Sequence, residues 1–216
     1  MSRNRFRRGF TLAEVLSVLF VLGLVLGFVA VIVGPLLRSQ SQTQAKVDTV
    51  QAAAMALYRI ERDLRNTTSG SIFVCTTGAT PSCSAPSTTL TATSAIVMPT
   101  AYQNGTGQFQ FKSATGTPNW QGVAVYWTDA RGNLDFAFDP PTSYGGAVGN
   151  TPTAPQAKQA VIDVTASGGM QLARFVELLS LAVPASHQIS FQMQAQSTVG
   201  NASNETTYQT DLETRN

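Results

Sequence analysis

From Val15 to Leu37 the chain carries no charged residue, and four arginines (Arg3, Arg5, Arg7 and Arg8) stand ahead of that run. No other stretch constrains the fold as strongly. Coiled as a helix it measures about 35 Å, at about 1.5 Å per residue, enough to cross the hydrocarbon core of a bilayer. The arginines before it, and Arg38 as the first charge after it, predict a cytoplasmic N-terminus with residues 38–216 outside. A secretory signal peptide would have a shorter apolar region followed by small residues in an A-x-A pattern. Here the run ends in GPLLRSQSQ, so the segment is expected to stay attached. One residue breaks the pattern. Glu14 sits directly before the run, and a lone carboxylate at the edge of an apolar helix costs free energy unless it finds a partner.

The same arginines set the overall charge. Without them the chain has ten basic residues against twelve acidic ones. The basic isoelectric point therefore belongs to the first eight residues, and the remainder offers no basic surface for nucleic acid. Residues 66–216 are rich in Thr, Ser, Gln, Gly and Ala, with five basic and eight acidic side chains. Weakly charged polar surfaces of this kind are common on exported proteins. Cys75 and Cys83 lie in FVCTTGATPSCSA, where seven intervening residues with Gly and Pro allow the chain to fold back into a disulfide. Two free buried thiols are the alternative. Either arrangement is structural, and a bonded pair places the domain in an oxidising compartment. Two cysteines without a nearby histidine do not make a zinc site.

Beyond Arg38 the pattern becomes helical and polar. In RSQSQTQAKVDTVQAAAMALYRIERDLR the apolar residues Val47, Val50, Ala54, Leu57 and Leu64, with Ile60 beside them, recur at helical spacing. Good helix formers dominate. This predicts one helix from about Thr11 to about Arg65, bent near Pro35, whose amphipathic half lays an apolar stripe on a sheet. Arg59, Arg62, Asp63 and Arg65 are expected on the opposite, solvated side. In the apolar half, Gly23-x-x-x-Gly27 permits close helix approach, although small residues at that spacing are common in membrane helices.

Residues 66–216 read as strands between turns: SIFVCT, SAIVMPT, QFQFK and GVAVYWT, then VIDV, RFVELLSLAVP, ISFQMQAQ and TYQTDLET. The stretch GVAVYWT–DARG–NLDFAF predicts a β-hairpin, with Asp129, Gly132 and Asn133 in its turn. PPTSYGGAVGNTPTAPQ reads as a long exposed loop. ISFQMQAQ alternates apolar residues at Ile189, Phe191, Met193 and Ala195, as a half-buried strand does. RFVELLSLAV is compatible with a strand or a short helix. The expected fold class is α+β, a long N-terminal helix packed on an antiparallel, β-rich domain.

Chemistry has little foothold in this body. His187 is the only histidine, and no nucleophile-elbow, zincin or P-loop motif occurs. No catalytic residue, metal site or cofactor is expected. Asp129, Asn133, Asp135 and Asp139 invite a calcium site, but their spacing does not fit an EF-hand loop, and turn and strand decoration is the simpler reading. Trp120, Tyr126 and Trp127 are the residue types of a base- or sugar-stacking platform, and also those of a strand core.

MSRNRFRRG followed by FTLAEVLSVLFVLG resembles the prepilin leader and N-methylation motif of type IV pilins and type II secretion pseudopilins. The resemblance covers about the first 38 residues. It implies removal of residues 1–9 by a prepilin peptidase that cuts between Gly9 and Phe10 and methylates the new N-terminus on Phe10. It further implies residues 10–37 as a transmembrane and filament-core helix, 38–65 as its amphipathic continuation, and 66–216 as an extracytoplasmic domain. The cut frees an α-amino group that is mostly protonated at neutral pH. Glu14 is then expected to pair with the Phe10 ammonium of a neighbouring subunit, which offsets the cost of the acid and sets the register between helices. YRIERDLRN and the terminal ETRN resemble J-type pseudopilins and W-type minor pilins. The implied function is a structural, non-enzymatic minor subunit that initiates or caps a pilus or pseudopilus. Its implied partners are other pilins, the peptidase and an inner-membrane assembly platform. A DNA- or surface-binding module at the filament tip is the competing expectation.

Overall fold

The computed structural model describes residues 11–86, 89–91, 93–103, 107–174, 176–185, 188–199 and 202–213. Helix α1 spans Leu12–Arg65 and runs unbroken through Pro35. Its start has a local cause. Thr11 and Glu14 form the S/T-x-x-E capping box, in which each satisfies an amide that the first helical turn leaves free. The Glu14 N–H donates to Thr11 Oγ1 at 3.3 Å, and the Thr11 N–H donates to the Glu14 carboxylate at 3.0 Å.

The chain divides into two units, residues 1–45 and 46–216. In the first, the described residues are all helix after Thr11 and all exposed. The second contains the last twenty residues of α1 and every other element. Strands β1 (Phe73–Thr76), β2 (Cys83–Ser84), β3 (Ser94–Thr100), β4 (Gly122–Thr128), β5 (Leu134–Asp139) and β6 (Met170–Ala173) form a six-stranded sheet in the order β2-β1-β3-β4-β5-β6. Strands β7 (Val176–Ala185), β8 (Gln188–Val199) and β9 (Ala202–Glu213) form a second, three-stranded sheet. Every pairing is antiparallel. A second helix, α2 (Ala154–Ser167), lies between β5 and β6 in the chain.

The six-stranded sheet is covered on both faces. On one, Ile96, Met98, Ala124 and Tyr126 join Ala53, Ala56, Ile60 and Leu64 of α1 and the inner residues of β7–β9. On the other, Ala95, Val97, Val123, Val125 and Trp127 meet Ala157, Ala160, Val161 and Val164 of α2. That is why SAIVMPT and GVAVYWT are buried at every position and do not alternate. Strand β8 has one covered face, and Ile189, Phe191, Met193 and Ala195 are buried as its alternation predicts. The hairpin β4–β5 also forms as expected. Asp129 Oδ1 accepts the Arg131 and Asn133 N–H groups at 2.8 Å each, and Gly132 takes φ 77°, a conformation glycine enters without steric cost.

Four expectations need correction. VIDV is not a strand, and Ala154–Gln156 do not belong to the preceding loop: all lie in α2. Its signals are present in the sequence. Thr153 and Gln156 form a second capping box with a proline in the first turn, and Ala157, Ala160, Val161 and Val164 trace a helical stripe. The loop before α2 is not wholly exposed, since Tyr144 is buried in the second core. QFQFK makes only isolated bridges, Tyr102 with Phe109 and Phe111 with Pro118. The buried stripe of α1 is Ala53, Ala56, Ile60, Asp63 and Leu64, while Val47, Val50 and Ala54 are exposed. Four alanines among residues 52–56 give hydropathy no means of choosing the facing row. RFVELLSLAV, left open between strand and helix, falls in β6 and β7.

Candidate functional site

The first candidate is the N-terminal end of α1. Gly9 and Phe10, the expected cleavage and methylation positions, lie outside the described residues. Glu14 is within them, and its carboxylate is not unpartnered. One oxygen, Oε2, accepts both the Thr11 N–H at 3.0 Å and the Thr11 hydroxyl at 3.1 Å. The acid thus has a local partner in its own chain as well as the intersubunit one expected for it. Behind it, Val15 to Leu37 exposes its large apolar side chains, with Phe20 at 69% and Phe28 at 73%. Glycines 23, 27 and 34 have open space where a Cβ would stand. This is the one helix among the described residues that is long and apolar enough to cross a membrane. An exposed apolar surface of this extent marks contact with lipid or protein.

The second candidate is a polar cluster in the unit 46–216, where the last turns of α1 meet strand β4. Asp63 is expected on the solvated side of the helix, yet it is only 4% exposed. Its Oδ2 accepts the Tyr126 hydroxyl at 2.5 Å, and its Oδ1 accepts the Arg62 guanidinium at 2.9 and 3.1 Å. Burial and then the adjacent carboxylate hold the Tyr126 phenol well above its ordinary pKa, so it remains a donor. Burial disfavours the Arg62 charge, but Asp63 outweighs it and the pKa of Arg62 is raised. Both arginines lie on aromatic rings. The guanidinium of Arg59 is 3.7 Å from the centre of Phe136, and that of Arg62 is 4.4 Å from Tyr102. Sequence reasoning missed this cluster because Asp63 and Tyr126 are 63 residues apart.

The remaining candidates are structural. Cys75 and Cys83 face each other across β1 and β2 and are joined in a disulfide. Trp120, Tyr126 and Trp127 are buried at 6%, 0% and 5% exposure, so they form core and not a stacking platform. Of the proposed calcium set, Asp129 has both oxygens engaged by Arg131 and Asn133. No group of three or more His, Cys, Asp or Glu side chains among the described residues is placed to hold a metal. His187 lies outside the described residues.

Comparison with known proteins places a family model, the prokaryotic N-terminal methylation motif, on residues 4–30. No curated protein and no solved structure matches the chain. The matched segment holds the basic leader, Glu14 and the first half of the exposed apolar run, and the helix continues into an antiparallel body. By this motif and by its helix-plus-antiparallel-sheet fold, the chain is a type IV pilin-like protein, a pilin or pseudopilin anchored to the membrane through its N-terminus.

Proposed function

We propose that the chain is a minor subunit of a type IV pilus or type II secretion pseudopilus that initiates or caps filament assembly. The methylation motif on residues 4–30, set directly before an exposed apolar helix, carries this reading. It points to a structural subunit and not to an enzyme. The minor role is supported by YRIERDLRN and by a body of about 150 residues after the helix. In this reading the precursor spans the inner membrane with its N-terminus in the cytoplasm. A prepilin peptidase cuts between Gly9 and Phe10 and methylates Phe10, and the assembly platform passes the subunit into the filament. The body then lies outside the cytoplasm, where the Cys75–Cys83 disulfide is chemically at home.

Glu14 is the assembly residue. Its capping box survives the cut, because Thr11 keeps its amide and hydroxyl. The box holds the carboxylate at the end of the helix where the new amine forms. Pairing with the Phe10 ammonium of the next subunit neutralises both charges in an apolar surrounding. Two variants separate the cap from the charge. Glu14→Gln keeps an acceptor for the cap and loses the ion pair, whereas Glu14→Ala loses both. Both are expected to be depleted from the filament. Wild-type incorporation of Glu14→Gln would remove the ion pair from the account. Mass spectrometry of the mature chain should show N-methylphenylalanine at position 10; an intact Met1 would sink the proposal.

A further inference from the structure

We propose that the cleft between Arg59 and Arg62 is a docking site for a carboxylate, an exposed Asp or Glu side chain of a neighbouring filament subunit. The cleft holds about 220 Å³, the scale of a single side chain, and Asp63 is the only acid lining it. Its charges do not balance. Arg62 is spent on Asp63, the one ion pair among the described residues, while Arg59 has no carboxylate. Arg59 Nε is buried without a hydrogen-bond partner. A buried donor left unpaired is costly, and a guanidinium offers a planar fork that fits a carboxylate. The stack on Phe136 fixes the plane of that fork, so little freedom remains to be lost on binding.

The charge distribution favours a protein partner of the same kind. Residues 66–216 carry eight acidic side chains against five basic ones, and the described part of β9 exposes Glu205, Asp211 and Glu213. A subunit built this way brings acids to its neighbours and has few cations to receive them. The Arg59 fork supplies one. This inference rests on the filament reading for the identity of the partner, but not for the chemistry of the cleft.

The test has two arms. In the first, the detergent-solubilised full-length chain is titrated with the peptide acetyl-Gly-Glu-Gly-amide, its Gln counterpart and sodium acetate, and the Arg59 Nε–H resonance is followed. The Glu peptide should shift it, the Gln peptide should not, and acetate should bind more weakly than the peptide. A flat response to the Glu peptide, or equal affinity for acetate, overturns the assignment. In the second arm, Arg59→Gln should lower incorporation into filaments about tenfold, the factor that 1.4 kcal/mol produces, without lowering the thermal midpoint of the body. Unchanged incorporation overturns the proposal. So does a loss that is matched by a fall in thermal midpoint, because that makes Arg59 a packing residue only. The arms fail separately from the filament reading. A Glu14→Gln chain that assembles normally would undercut the proposed ion pair and leave the titration standing.

Discussion

The two halves of α1 meet different solvents. Val15 to Leu37 is uncharged and exposed throughout, so it depends on lipid or on other helices to cover it. From Lys46 onward the same helix is covered by its own chain, and it buries a carboxylate among apolar residues. In the first half a charge is costly because no partner is built in. In the second, Asp63 is tolerated because Tyr126 and Arg62 take up its oxygens. Burial of a charge is thus set by what faces it and not by the element that bears it.

The comparison can be broken from either side. Asp63→Ala should have the larger effect, leaving the Tyr126 hydroxyl and the Arg62 guanidinium without their acceptor. Losing one partner of a buried pair costs about 3–5 kcal/mol. The lower end is expected here, since the Arg62 side chain is 38% exposed and water can reach it. The unit 46–216 should melt on the order of 10 °C lower, with membrane retention unchanged. Val25→Arg should do the reverse. It should weaken membrane retention by about 2.5 kcal/mol and leave the melting of the body untouched. Carbonate extraction and calorimetry of the same two variants read both properties. If either variant moved both, the halves would not be energetically separate.

Much of the fold was legible where the cause is local. The uncharged run gave the helix, ISFQMQAQ gave β8, and DARG gave the hairpin turn. Two identical local signals were nevertheless treated differently. TLAE and TAPQ are both capping boxes, yet only the first was followed by an obvious helix. The second was hidden by the β-branched VIDV, whose valines and isoleucine favour strands until a sheet face is available for a helix to cover. The facing row of α1 was illegible for another reason, because alanines carry little hydropathy contrast. The Asp63–Tyr126 bond depends on tertiary pairing and leaves no periodic trace. The motif around Gly9, Phe10 and Glu14 was legible in sequence because it is contiguous, and the methylation-motif match covers the same residues.

The smallest effect probes a second buried acid, one without a cation to answer it. Asp139 ends β5 at 4% exposure, and its Oδ2 has no partner. Burial first, and then the charge of Asp163 on α2, push its carboxyl up to about 6 against a hydrogen bond from Ser143. Tyr144, the other titratable group beside it, is itself pushed up to about 12 and stays neutral. The folded chain therefore binds this proton more tightly than the unfolded chain does. The resulting stability is complete below the ordinary carboxyl pKa near 4 and is lost as pH climbs through about 6. Between pH 4 and pH 7 the body should lose about 2 kcal/mol from this group. Asp139→Asn, which stays neutral over that range, should match the wild type near pH 4 and exceed it at pH 7. Urea midpoints across the range read the difference directly, and parallel curves for the two proteins would show that Asp139 is ionised in the fold without cost. Because Asp63 has a cation and Asp139 has none, the same series on a Tyr126→Phe chain should keep the wild-type pH slope while lowering every midpoint by about 1 kcal/mol.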